Sequence, residues 1–161
     1  MSDVFEFISH SEDDTRKLGQ QLGRLLTTGL TIALDGQLGS GKTNLTRSIC
    51  EGLDIDVNQV NSPTFVLMQT YTGGRLTVCH FDTYRLGDVD EFLALGAEEY
   101  LNDESIVCLI EWAEIVQPVL PADRLEIRIT QTGETSRGFR ISATGPLSRT
   151  ILQTLKKSGS A

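Results

Sequence analysis

Residues 30–53 read LTIALDGQLGSGKTNLTRSICEGL, and this stretch decides the fold. Leu30–Asp35 is an apolar run of strand length. Gly36-Gln37-Leu38-Gly39-Ser40-Gly41-Lys42-Thr43 fits G-x-x-x-x-G-K-S/T. Lys42–Gly52 reads as a helix, with Leu45, Ile49 and Leu53 supplying an i, i+4, i+8 face. A strand before and a helix after are the context in which this motif cradles phosphate. Its glycines let the chain bend until successive backbone N–H groups point inward as an anion nest. The following helix adds about half a positive charge at its N-terminus. Lys42 contributes a point charge toward β- and γ-phosphates, and the Thr43 hydroxyl is a ligand for Mg²⁺. The expected polyphosphate site is therefore Gly36, Leu38, Gly39, Ser40, Gly41, Lys42 and Thr43.

Outward from that stretch, strand-like and helix-like segments alternate. Ser11 to Thr28 reads as a helix, capped by Ser11 with Asp13 and Asp14 in its first turn, and ended by Gly29. Leu18, Leu22, Leu25 and Leu26 share one face of it. Phe65-Val66-Leu67 looks like a strand, Gly73-Gly74 a turn, and Leu76–Asp82 (LTVCHFD) an apolar strand ending in an acid. Val89 to Leu101 reads as one helix, and Ile106–Glu111 (IVCLIE) as a second buried strand ending in an acid. Leu125, Ile127 and Ile129 alternate, as do Phe139, Ile141 and Ala143, with Thr132-Gly133 between them as a hairpin turn. Leu147, Ile151, Leu152 and Leu155 mark a C-terminal amphipathic helix. Near-continuous apolar runs belong to strands covered on both faces, hence to a parallel core. The expectation is an α/β, three-layer P-loop NTPase fold with a mostly parallel central sheet and an antiparallel C-terminal hairpin, as a single domain over residues 1–161.

A phosphate-bound Mg²⁺ needs a carboxylate at the end of a neighbouring strand. Asp82 and Glu111 are both placed for this. One ligates the ion, directly or through water, and the other orients the attacking water or acts as a base. Ser62-Pro63-Thr64 lies where switch-type nucleotide hydrolases keep a segment that senses the γ-phosphate through a Thr hydroxyl; a simple proline turn is the plainer reading. His80 reads as a satisfied structural histidine standing off the Asp82 strand face. Trp112 is either a boundary aromatic or part of a site or partner surface. Arg85 and Arg137 face phosphate or form ordinary surface ion pairs.

Composition narrows the partners. The chain has 161 residues, with Lys+Arg 14 against Asp+Glu 22, a net charge of −8. Such a surface grips nucleic acid poorly by itself, because backbone binding needs cations to displace counterions. An anionic ligand needs a local device, which the loop provides. Cys50, Cys79 and Cys108 all lie in apolar runs without a CxxC spacing, which predicts buried, reduced thiols. Asp3 and Glu6 fall where a secretory leader carries positive charge, and no apolar run reaches 18 residues. The expectation is a cytoplasmic protein with no membrane contact.

The blocks GQLGSGKT, NSPTF, HFDTYRL, EFLALGAEEYL, LIEWAE and a later LP, in this order through Thr15 to Pro121, resemble the TsaE family (also called YjeE) of bacterial P-loop ATPases. The resemblance implies slow ATP hydrolysis with Mg²⁺ in the biosynthesis of tRNA threonylcarbamoyladenosine at position 37. It implies work through two protein partners, TsaB and TsaD, so that tRNA is met only through the complex and no metabolite beyond ATP is a substrate. On the family's pattern Gly39, Ser40, Gly41, Lys42 and Thr43 hold the phosphates. Thr43 and Glu111 are the Mg²⁺ ligands, Asp82 assists water or metal, and Thr64 belongs to the switch segment. Asp13 and Thr15 resemble base-side contacts, and Arg137 a family arginine after the last hairpin turn. Lys42, Asp82 and Glu111 form the implied catalytic set. Gln37 departs from the acidic residue that the family often has there.

Two other classes share these features. A small-molecule P-loop kinase gathers arginines in a lid, whereas the arginines here are scattered. A nucleotide-dependent binding module with negligible turnover uses Lys42 and Thr43 in the same way. A GTPase is disfavoured, since no N-K-x-D guanine-reading segment is present.

Overall fold

The computed structural model describes residues 3–37, 41–60, 67–84, 86 and 88–159. Their order is β1 (Val4–Ser9), α1 (Glu12–Leu25), β2 (Thr31–Gly36), α2 (Lys42–Gly52), β3 (Met68–Tyr71), β4 (Thr77–Asp82), α3 (Val89–Ala94), α4 (Ala97–Leu101), β5 (Ile106–Glu111), β6 (Arg124–Gln131), β7 (Arg137–Ala143) and α5 (Pro146–Gly159). Short 3-10 segments cover Val57–Gln59 and Ala113–Val119. Among the described residues the strands form one seven-stranded sheet in the order β1-β7-β6-β2-β5-β4-β3.

The inner quartet β6, β2, β5 and β4 is parallel. Within it β2, β4 and β5 are buried on both faces, as central parallel strands require, whereas β6 alternates buried Leu125, Ile127 and Ile129 with the more exposed Glu126, Arg128 and Thr130. The antiparallel β6–β7 hairpin extends the sheet on one side, with β1 beyond it. β3 adds an antiparallel edge on the other side. Side chains alternate, so β2, β4 and β5 each feed two cores, while β6, β7 and β1 turn their apolar side chains to one. Leu22, Ile49, Leu109, Leu125 and Leu155 meet on the face covered by α1, α2 and α5. Phe81, Phe92, Ile110 and Val116 meet on the other, under α3, α4 and the 3-10 segment. This is the expected three-layer α/β fold.

α1 begins as its sequence says. The Ser11 side chain accepts from Asp14 N–H, and Glu12, Asp13 and Asp14 fill the favourable first turn. It ends three residues short of Thr28, because Leu26 turns extended (φ −78°, ψ 117°) while staying buried. Gly29 donates instead to the Glu104 carbonyl. The Arg75 guanidinium donates to the carbonyls of Gly23, Leu26 and Gly52 at 2.9, 3.0 and 2.8 Å. One cation thus closes the C-terminal ends of α1 and α2 together.

Glycines set how closely these two helices cross. A Cβ on Gly23 would stand 2.2 Å from the Ile49 carbonyl oxygen, and one on Gly52 2.3 Å from that of Gln20. No side chain fits there, and α2 is held at a fixed distance from α1 over the sheet.

Two further expectations need correction. The helix read over Val89–Leu101 is two helices, broken where Gly96 takes φ +81°. The break turns Ala97 into the core beside Phe92. Of the strand read over Phe65–Leu67, Phe65 and Val66 lie outside the described residues and Leu67, with φ +68°, is not in a strand; β3 follows at Met68–Tyr71. β1 and the Ala113–Val119 segment were not anticipated. β1 alternates Phe5 and Phe7 inward against Glu6, with Phe7 and Phe139 rings 6.3 Å apart across the β1–β7 pair.

All three cysteines are buried free thiols. Burial pushes Cys50 and Cys79 up to about 12 and Cys108 upward as well, so none is a reactive thiolate at neutral pH. Among the described residues no helix is long and apolar enough to cross a membrane.

Candidate functional site

β2 delivers the chain to Gly36 and Gln37, and α2 starts at Lys42. Gly41 is the N-cap in a left-handed conformation (φ +107°) and brings no side-chain cap to the first turn. The first turn of α2 thus has no capping side chain between an anion and its N–H groups. Leu38, Gly39 and Ser40 lie outside the described residues, as do Thr64 and Arg85.

Lys42 is buried and folds back along the loop. Its ammonium donates to the Gly36 and Gln37 carbonyls at 2.7 and 3.0 Å and sits 4.0 Å above the Trp112 ring. Desolvation holds this ammonium below the ordinary lysine range, opposed by the charges of Glu111, Asp82 and Asp35. Backbone carbonyls, a ring face and three carboxylates thus keep one cation at the mouth of the loop.

Asp82 and Glu111 end neighbouring parallel strands in direct register. Both are buried, but they are engaged differently. The Thr43 hydroxyl donates toward Glu111 Oε1 and Oε2 at 3.3 and 3.4 Å, closing the gap between α2 and β5. Asp82 Oδ1 accepts from the Tyr84 N–H at 2.9 Å. The Thr83 hydroxyl donates to the Glu111 and Trp112 carbonyls at 3.0 and 2.6 Å, which ties the two strand ends together. Trp112 leaves β5 with φ +62°, and its ring lies 4.8 Å from that of Tyr84.

His80 belongs to this cluster. It is two residues before Asp82, so both point to the same sheet face, the one on which α2 packs. Its Nε2 is 2.5 Å from Glu111 Oε2, and its Nδ1 is 2.9 Å from the Tyr71 hydroxyl. The expectation that it stands off the Asp82 face is thus corrected by the period of two, a signal already present in the sequence.

The donor set suits a hard cation. A hydroxyl and a carboxylate oxygen meet at one point, and Mg²⁺ keeps several waters, so two protein ligands suffice. Among the described residues no group of three or more His, Cys, Asp and Glu side chains forms a fuller metal cage.

Beside Gly41 lies a cavity of about 510 Å³ between the start of α1, the side of α2 and the β6–β7 turn. Ser11, Thr15, Asn44, Ser48 and Arg137 are in its wall. Thr15 is fixed there by its hydroxyl, 2.7 Å from that of Ser9. Arg137 donates to the Ser136, Gly133 and Glu134 carbonyls at 2.9, 3.3 and 3.4 Å. Thr15 and Arg137, far apart in sequence, are thus brought to one cavity next to the loop. Asp13 is not in that wall; it is exposed and paired with Lys17 at 3.2 Å.

A G-x-x-x-x-G-K-T sequence between a buried parallel strand and the N-terminus of a helix, in a three-layer fold, defines the class of P-loop nucleotide-binding folds. A family model described as threonylcarbamoyl adenosine biosynthesis protein TsaE matches residues 9–139, and the chain belongs to the TsaE family. It is 37% identical over 133 residues to the tRNA threonylcarbamoyladenosine biosynthesis protein TsaE of Bacillus subtilis (strain 168), covering 83% of this chain and 82% of that one. It is 36% identical over 138 residues to the protein of the same name from Haemophilus influenzae, covering 85% of each. The crystal structure of Bacillus subtilis YdiB is similar throughout, with a TM-score of 0.82 at 27% identity over 99% of this chain and 98% of that one. The family is named for the biosynthesis of threonylcarbamoyladenosine in tRNA.

Proposed function

We propose that this chain binds Mg²⁺–ATP at the loop before α2 and hydrolyses it slowly, as a single ATPase domain of the cytoplasmic machinery that makes N6-threonylcarbamoyladenosine at tRNA position 37. It acts through TsaB and TsaD partners, meets tRNA only within that complex, and takes no metabolite beyond ATP. The observation that carries this reading is the Thr43 hydroxyl facing the Glu111 carboxylate, with the Lys42 ammonium at the same loop.

Each residue has a physical role in this reading. The backbone of Gly36, Leu38, Gly39, Ser40 and Gly41 supplies N–H donors to the phosphates. Lys42 exchanges its loop carbonyls for phosphate oxygens, so its charge is not lost to bulk water. Thr43 and Glu111 would hold Mg²⁺, and the ion would supply positive charge against that of the phosphates. Asp82 orients the attacking water and accepts its proton. The cavity walled by Thr15 and Arg137 takes the nucleoside, and Thr64 senses the γ-phosphate; Asp13 acts from outside that wall.

Phosphate release from ATP is the test, measured for the chain alone and with TsaB and TsaD. Slow release that the partners stimulate is expected, and Lys42→Ala is expected to lose ATP binding. Phosphorylation of a small metabolite with no response to the partners contradicts the reading in favour of a kinase. Unchanged ATP affinity in Lys42→Ala removes the loop from the site.

A further inference from the structure

We propose that His80 is a positioning residue for the metal ligand Glu111, held in turn by Tyr71 of the edge strand. This rests on the Mg²⁺–ATP reading above and adds to it the residues that aim the carboxylate.

Glu111 is almost wholly buried, and a buried carboxylate needs defined partners for its lone pairs. His80 Nε2 is 2.5 Å from Oε2, and His80 is itself fully buried. The N–H donated there occupies one oxygen of the carboxylate. The Thr43 hydroxyl is 3.3 Å from the other oxygen, Oε1, and 3.4 Å from Oε2 itself. The imidazole therefore fixes the rotation of the carboxylate, whose two oxygens both face Thr43 on the α2 side.

The ring is itself fixed from behind. Its Nδ1 lies 2.9 Å from the Tyr71 hydroxyl, which donates to Gln69 Oε1 at 2.8 Å. The Tyr71 and His80 ring centroids are 5.8 Å apart. β3 pairs antiparallel with β4, placing Gln69 directly opposite His80. An edge strand thus reaches the ion site through Tyr71, His80 and Glu111. Carboxylates that ligate metals depend on such outer partners, whose loss typically weakens metal binding about 10–100-fold.

The test compares ATP affinity with Mg²⁺ and with EDTA by calorimetric titration, in wild type, His80→Phe, His80→Gln and Tyr71→Phe. The quantity read is the factor by which Mg²⁺ tightens ATP binding. His80→Phe keeps the ring volume and is expected to cut that factor about 10-fold or more, with the EDTA affinity unchanged. His80→Gln carries an N–H donor to nearly the same place and is expected to restore most of it, which a filler role in the core would not produce. Tyr71→Phe is expected to cost roughly 5-fold.

A folded His80→Phe protein with the wild-type factor overturns the proposal. Should His80→Phe fail to fold, Tyr71→Phe decides: a reduced factor supports the positioning chain, and an unchanged one overturns it. Wild type with no Mg²⁺ effect on ATP binding defeats the functional reading and this inference together. A wild-type effect that every variant retains defeats this inference alone.

Discussion

The two faces of the sheet are built to different standards. On one, α1, α2 and α5 are long, and α1 and α2 cross where glycine admits no side chain. On the other, α3 and α4 are of six and five residues. Aromatic contacts hold that layer, with Phe81 edge-on to Phe92 at 5.1 Å and Tyr100 at 6.3 Å. Thr43, His80, Asp82 and Glu111 all gather on the first face, at the ends of β4 and β5. The difference teaches where precision is required. Polar groups that must meet within a few tenths of an ångström sit beside helices locked backbone to backbone, and the layer across the sheet supplies mainly buried area.

That contrast can be broken in the thin layer first. Phe92→Ala removes a fully buried ring and is expected to cost about 3–5 kcal/mol in urea unfolding. ATP affinity of the folded fraction is expected to stay at the wild-type value. A large loss of affinity per folded molecule would show that the site depends on both layers equally.

Gly23→Ala sharpens the comparison from the other side. The added methyl meets the Ile49 carbonyl oxygen, so α2 must move. The expected cost is about 1–3 kcal/mol, smaller than for Phe92→Ala, yet ATP affinity should fall with it. Destabilisation with unchanged affinity would separate the helix crossing from the loop.

The smallest effect lies at α5, away from the loop. Asp123 accepts from Leu147 N–H and Ser148 N–H at 2.8 and 3.0 Å at the start of this helix. Burial pushes its carboxyl up, but the hydrogen bonds from Ser148 and Leu147, helped by Arg149, hold it below the ordinary range. Stability from this cap is complete above the unfolded value of about 3.9 and is lost as pH falls through the lower folded value. Asp123→Ala is expected to cost about 1 kcal/mol at neutral pH and to have no effect on ATP affinity. A thermal-unfolding series from neutral pH to below 3 should show the gap between wild type and variant closing at the acid end.

The same contrast explains what was legible in the sequence. Helix α2 and strand β5 lie where the sequence puts them, over Lys42–Gly52 and Ile106–Glu111. Their signals are local: a motif, a buried run, a periodic apolar face. The hairpin was legible for the same reason. β1 was not, because its pairing partner β7 lies at the far end of the chain and its own run is short and half-buried. The break at Gly96 was hidden by an apolar periodicity that continues through it, and only packing against Phe92 reveals the turn.

In the candidate site, Lys42, Thr43 and Glu111 were legible from chemistry and strand-end position. Asp82 was named with Glu111, but only the register of β4 and β5, with Thr43 opposite one acid, gives the two different surroundings. His80 reads as a satisfied structural histidine, and it is buried with partners on both ring nitrogens; its placement off the Asp82 face overlooks a two-residue spacing that puts both on one face. Tyr71 had no local signal at all, since it reaches the site through an antiparallel edge pair.

The central claim is that the turn before α2 holds a triphosphate with its metal between Thr43 and Glu111. A crystal structure with Mg²⁺ and a non-hydrolysable ATP analogue tests it most directly. The account predicts phosphate oxygens on the Lys42 ammonium and on the N–H groups at the start of α2, with the ion touching the Thr43 hydroxyl and backed by the Glu111 carboxylate. A triphosphate seated elsewhere, with Lys42 still bonded to the Gly36 and Gln37 carbonyls, contradicts it.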